Sequence, residues 1–401
     1  EEQVQRLAKQ EGVLAVRPDT LQQPQTDASG EFLGLTGPGA AWAEGYTGEG
    51  VVVGVIDTGI WPEHPSFADD GTYPDPVGVA EGIPCEFGTT PGNEDDAPFE
   101  CNNKLLGARD MRVAYNSVVG PELYDSARDA DGHGTHVAST AAGNAGVQAE
   151  VLGSQIGAVS GVAPRAQVVA YKVCGDAGCF TSDLAGGIDQ AVADGVDVIN
   201  YSIGGGAGPV GPDDLAFLFA NQAGIFVATS AGNDGPAPGT VGSPAVFPWL
   251  TSVGASTHDR GFGGSVTLGD GRTFDGATIT GGLPQTRVVD AADLGNELCL
   301  LDTFETDLTG TVVLCKRGQI ARVEKSQAVY EAGGAGMVLY DVSDDAALVT
   351  DNHWVPSVHV NLSAGEAVKA CIDAEGDAAT VALTGGETVT AQGSVMADFS
   401  S

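Results

Sequence analysis

The sequence predicts an α/β protein built on a parallel sheet, with a smaller module set in towards its carboxyl end. Three observations carry this. An apolar, β-branched run at residues 51–56 and a second such strand at 168–173 show the pattern of strands covered on both faces, and further strands are read at 196–202 and 225–230. Helical periodicities separate them, and strands alternating with helices imply parallel pairing through right-handed crossovers. The character then changes near Leu283, where shorter segments begin.

In chain order, Val4, Leu7 and Ala8 give a short helical pattern, followed by Gly12 and an apolar strand at 13–16. Pro18 and a Gln-rich stretch at 21–26 read as a linker or processing site. Residues 51–56 form the first buried strand and 168–173 the second. Ser182 is placed to cap a helix with the stripe Leu184, Ile188, Ala191 and Val192, stopped by Gly195. Residues 196–202 are the third strand. Asp213 or Asp214 caps a helix carrying Leu215, Leu218 and Phe219 and closed by Gly224. Residues 225–230 and 250–255 complete the sheet. Within the smaller module, strands are expected at 311–315, 337–340 and 358–360 and a helix at 322–332, with the acidic run 341–345 a solvated loop.

The 401 residues suffice for one large core and a smaller unit. Formal net charge is −37, with six lysines. Such a surface repels phosphate backbones and anionic lipid, which argues against nucleic acid and membranes as partners. It also fits adaptation to high salt, where screening relieves self-repulsion. The seven cysteines fall as close pairs, Cys85 with Cys101, Cys174 with Cys179 and Cys299 with Cys315, leaving Cys371. Close pairing favours disulfides and an oxidising compartment, so an exported protein is expected.

Four constellations carry chemistry. Asp57 ends the first strand at a tight Thr58-Gly59 turn. His133 lies in Asp131-Gly132-His133-Gly134-Thr135-His136, with glycines on both sides and a small-residue helical pattern behind it. Ser202-Ile203-Gly204 and Asn233 each stand just past a strand, on the edge where open α/β sheets place their chemistry. Three have a plainer reading: turn-capping for Asp57, a satisfied core imidazole for His133, a simple turn for Asn233. A metal pair of His133 with His136 lacks the intervening Glu of the metalloprotease helix and a third ligand. An aspartic-protease reading of Asp57-Thr58-Gly59 lacks a second such triplet. His64, His258, His353 and His359 read as surface or packing residues. Asn361-Leu362-Ser363 is a formal glycosylation acceptor.

Taken together, Asp57-Thr58-Gly59, His133-Gly134-Thr135-His136 and Ala231-Gly232-Asn233 occur in the order of the subtilisin-like serine proteases, which this chain resembles over residues 48–255. Trp61-Pro62 after Ile60, and Gly161-Val162-Ala163-Pro164 leading to Tyr171-Lys172-Val173-Cys174, look like the branch that includes plant subtilases. The resemblance implies a three-layer catalytic domain (27–283 and 387–401), a protease-associated insert (284–386) and the tail of an inhibitory propeptide (1–26). It implies that Asp57 orients His133, that His133 is the general base, and that the Asn233 amide donates to the oxyanion. Ser202, Ile203 and Gly204 would pair with an extended substrate backbone. Peptide or protein substrates and the chain's own propeptide are the implied partners. No cofactor is required. Calcium is common in the family, but no oxygen cage can be assembled from this sequence.

One departure is large. Gly-Thr-Ser-Met-Ala, the family's nucleophile motif, is absent, and Gly393-Ser394-Val395-Met396-Ala397 does not replace it. The chain is therefore expected to be a fragment of a secreted serine endopeptidase, inactive as it stands. The alternative is a non-catalytic homologue that binds peptides.

Overall fold

The computed structural model describes residues 26–151, 154–205, 210–345, 347–397 and 399–401. The helix, strand and connector expected in residues 1–25 lie outside the described residues. Two compact units emerge, one of residues 23–256 with 399–401, the other spanning Thr257–Asp398.

The first unit opens with α1 (Thr26–Phe32), a short helix not anticipated, and then β1 (Val52–Asp57). After β1 come β2 (Leu105–Asp110), α2 (Val113–Val118) and α3 (His133–Ala142). A hairpin of β3 (Val147–Val151) and β4 (Ser154–Val159) leads to β5 (Gln167–Lys172), and β6 (Cys174–Gly175) turns back into β7 (Gly178–Cys179). The unit closes with α4 (Thr181–Asp194), β8 (Val198–Tyr201), α5 (Pro212–Gln222), β9 (Phe226–Ser230) and β10 (Thr251–Val253). Six strands form one sheet in the order β10-β9-β8-β1-β5-β2, and every pairing in it is parallel.

The central position of β1 explains its continuous apolar run: all six residues are buried. Its side chains alternate between two cores. Val52 and Ile56 pack with Leu184, Ile188 and Ala191 of α4 and Phe217 of α5. Val53 and Val55 meet Ala138 and Ala142 of α3 on the opposite face. Helices on both faces make the three layers expected. Each fully buried aliphatic contributes about 1.5–3 kcal/mol, so the register of β1 is strongly specified.

Local capping differs from expectation. Phe180 is the N-cap of α4 and Ser182 lies exposed inside its first turn. Asp183 is the acid of that turn, but its carboxylate accepts from the amides of Ala114 and Tyr115 in α2. Gly211 caps α5, and Asp214 reaches back to accept the Gly211 amide at 2.7 Å. Gly195 stops α4 at φ 80°, donating to Ala191 and Val192.

The second unit contains β11 (Arg260–Leu268), β12 (Thr273–Ala277), β13 (Leu283–Asp290), β14 (Val312–Lys316), α6 (Arg322–Glu331), β15 (Gly336–Tyr340), β16 (Ser357–Val360), α7 (Leu362–Glu375), β17 (Thr380–Leu383) and β18 (Glu387–Thr390). The sheet runs β12-β16-β15-β14-β13-β17-β11-β18, and β12 also pairs with β11, so it curls back on itself. The unit therefore begins at Thr257, ahead of the change expected at Leu283, and continues past 386 through β18. The glycines of β11 (Gly261, Gly263, Gly264) dilute its apolar signal and hide it in the sequence. Asp341, expected in a solvated loop, is buried 3.2 Å from Nε2 of the equally buried His359.

The three cysteine pairs are disulfides, Cys85–Cys101, Cys174–Cys179 and Cys299–Cys315, and Cys371 is a buried thiol. Among the described residues no helix is long and apolar enough to cross a membrane.

Candidate active site

The carboxyl ends of β1, β8 and β9 converge on one edge. Ile56 pairs with Tyr201 and Tyr201 with Thr229, so Asp57, Ser202 and Ser230 stand abreast on adjacent strands. With strands about 4.8 Å apart, the outer two are separated by roughly 10 Å at the backbone. The first residue of α3, His133, reaches this edge from one face.

Close approach of two turns makes that possible. Gly59 sits at φ 119°, and a Cβ there would lie 2.6 Å from the Ala127 carbonyl oxygen. A Cβ on Gly134 would lie 2.3 Å from the carbonyl oxygen of Gly59. Gly134 is required for α3 to approach the end of β1, and Gly59 for the segment 127–129 to pass against it.

His133 Nδ1 lies 2.7 Å from Asp57 Oδ1. The same oxygen accepts the Thr58 amide at 2.8 Å. Asp57 is buried while the His133 side chain is 49% exposed, so one ring nitrogen faces the carboxylate and the other is left accessible. The hydrogen bond to Asp57 raises the His133 pKa, burial opposes it, and the charges of Asp57, Asp131 and Asp129 add to the rise. With Nδ1 against this fixed carboxylate, the neutral tautomer protonated on Nδ1 would leave Nε2 as the basic nitrogen.

Asn233 follows β9 and is exposed. With Ser202, Gly204, Ser230, Gly232 and Ser243 it lines a cavity of about 280 Å³. Ile203 does not line it; its side chain packs against the core beneath. Thus the structure brings Asp57 and His133 into contact, gathers Ser202, Gly204 and Asn233 around one cavity, and sets both groups on the same sheet edge. His136, one turn along α3, is exposed on the rim of a different pocket of about 500 Å³ with His64. Among the described residues no group of three or more His, Cys, Asp or Glu side chains is disposed to hold a metal ion.

The sequence profile of the subtilase family matches residues 48–400 of this chain. The chain belongs to the subtilase family. Subtilisin-like protease SBT1.3 of Arabidopsis thaliana is 41% identical over 390 residues, covering 92% of this chain and 49% of that protein. SBT1.4 of the same plant is 40% identical over 379 residues, covering 90% and 48%. SBT1.7, also from Arabidopsis thaliana, is 38% identical over 419 residues, covering 100% and 54%. The subtilase chain described here thus spans about half the length of the relatives it matches. These similarities make it a serine-protease homologue.

Sequence reasoning missed the groups that organise the start of α3. Asp131, Thr58 and Asp129 supply the acceptors for its first amides, those of His133, Gly134 and Thr135. The available signal was a glycine, Gly132, at the N-cap: a cap without a side chain needs its acceptors from elsewhere.

Proposed function

We propose that this chain is the larger part of the catalytic machinery of a secreted subtilisin-type serine endopeptidase, acting on peptide or protein substrates by acyl-enzyme catalysis. The single observation that carries the proposal is the 2.7 Å bond between His133 Nδ1 and buried Asp57 at the carboxyl edge of the sheet. Asp57 holds the imidazole in the tautomer with its proton on Nδ1 and stabilises the cation that forms. His133 Nε2 takes the proton of a serine hydroxyl as that oxygen attacks the peptide carbonyl, then returns it to the leaving amine. The Asn233 side-chain amide, on the cavity with Ser202 and Gly204, donates to the oxyanion of the tetrahedral intermediate. In subtilisin itself the loss of one such donor costs on the order of 10²–10³ in turnover. The backbone at Ser202–Gly204 takes an extended substrate as an added strand.

In this reading the serine nucleophile belongs to the remainder of the protein, since the 401 residues hold no Gly-Thr-Ser-Met-Ala motif. Residues 1–26 are the tail of an inhibitory propeptide, and residues 284–386, within the second unit, are a protease-associated insert. Three disulfides support export. No cofactor takes part in the chemistry.

Fluorophosphonate labelling of the full-length protein tests the proposal, with His133→Ala as control. Stoichiometric labelling of one serine, abolished in the control, is expected. A folded full-length protein that stays unlabelled would instead be a peptide-binding homologue without hydrolytic activity.

A further inference from the structure

We infer that Asp129 is a positioning residue that clamps the His133-bearing start of α3 onto the Asp57-bearing end of β1, an inference resting on the proteolytic reading above. Asp129 is 4% exposed. Its Oδ1 accepts the Thr58 hydroxyl at 2.9 Å and the amides of Gly132 at 2.9 Å and Asp131 at 3.2 Å. Its Oδ2 accepts both the amide and the hydroxyl of Thr135, at 2.9 and 2.6 Å.

The two hydroxyls make the clamp. A threonine hydroxyl has one proton to donate and lone pairs with which to accept. Both give that proton to Asp129, and each then accepts a backbone amide from the opposite element. Thr58, at the end of β1, accepts the Gly134 amide of α3 at 2.8 Å. Thr135, in α3, accepts the amide of Trp61, downstream of β1, at 3.0 Å. Asp129 therefore fixes two reciprocal crosslinks, through Gly134 and Thr135, the two residues that directly follow His133 in the chain. It also supplies the acceptors and the negative charge that Gly132, a cap with no side chain, cannot bring to the helix N-terminus.

The charge state follows from the same contacts. Burial works against ionisation, but the bonds from Thr135, Gly132 and Thr58 hold the carboxyl below its usual pKa. An asparagine at this site would replace one acceptor oxygen by a donor. Whichever way that amide turned, it would face a threonine hydroxyl and at least one backbone N–H. One crosslink must then open, and the ring loses its fixed approach to Asp57.

The test separates positioning from mere stability. The groups charged towards His133 are Asp57 from β1, and Asp129 and Asp131 from the segment ahead of α3. In the 401-residue chain labelled with ¹⁵N-histidine, Asp129→Asn is expected to weaken or abolish the low-field Nδ1–H resonance of His133 and to lower its pKa. In the full-length enzyme the same change should cut kcat roughly 10–100-fold through misplacement, with KM changed less than about twofold. Thr58→Val should act in the same direction, and Thr58→Ser, which keeps the hydroxyl, should restore wild-type behaviour. Should Asp129→Asn fail to fold, Thr58→Val and Thr135→Val, each opening one crosslink, give the reading. Variants that fold at lower Tm yet keep the Nδ1–H resonance, the His133 pKa and kcat would overturn the inference. Absence of fluorophosphonate labelling in the full-length wild type would end the proteolytic reading alone, with the His133 resonance and titration still deciding the role of Asp129.

Discussion

At the scale of the residue, the site works through an imbalance between two neighbours. Asp57 is buried and doubly bonded through one oxygen, while half of the His133 side chain reaches solvent. On the proposed proteolytic reading, the acid is held still and the base is left free to exchange its proton. Since the imidazole must be neutral to accept a proton, kcat/KM should rise with pH through the His133 pKa. The Asp57 bond raises that pKa, so the acid limb of the full-length enzyme should lie above the ordinary histidine value of 6.5. Asp57→Asn removes the largest cause of the rise and stabilises the wrong tautomer. It should move the limb to lower pH and reduce kcat about 10⁴-fold. A limb that stayed in place in the variant's pH–rate profile would show that another group is titrating.

Elements set the precision of that contact. The frame of β1 is held by α4 on one face and α3 on the other, and each helix uses small residues or aliphatics that fit the sheet. Ile188, at the centre of the α4 contact, is fully buried. Ile188→Ala should cost about 2–5 kcal/mol, read as a shift of the first unit's denaturant midpoint. A loss below about 1 kcal/mol would mean that the α4 interface can collapse around the cavity. On the other side of the sheet, the Cys85–Cys101 bridge ties down a loop with a sequence separation of 16. Loop-closure entropy puts its contribution at about 3 kcal/mol, so a Cys85→Ser/Cys101→Ser double variant should unfold at correspondingly lower denaturant. An unchanged midpoint would place the constraint in native contacts such as Phe87 with Phe99.

For the whole molecule the dominant quantity is charge. Formal net charge is −37, and Lys104, Arg112, Arg128, Lys172 and Lys325 are buried, so few cations remain to balance the acidic surface. Screening should therefore stabilise the fold. Thermal unfolding from about 10 mM to 1 M salt should show Tm rising, most steeply while the Debye length is long. A flat or falling Tm would mean that local pairs such as Arg128 with Glu63 outweigh long-range repulsion.

Residue order alone determined the parallel sheet, the three disulfides and the Asp57–His133 candidates. Buried strands and close cysteine pairs write their constraint into neighbouring positions, and the glycines around His133 mark a tight approach before any partner is known. Tertiary structure alone decided which acceptors cap α3, that Asp341 is buried beside His359, and that β11, β12 and β18 belong to the second unit. The reason is physical: capping by Asp129, a carboxylate paired across 18 residues and strands that close a sheet all depend on partners brought near only by folding. Local periodicity carries no record of such partners.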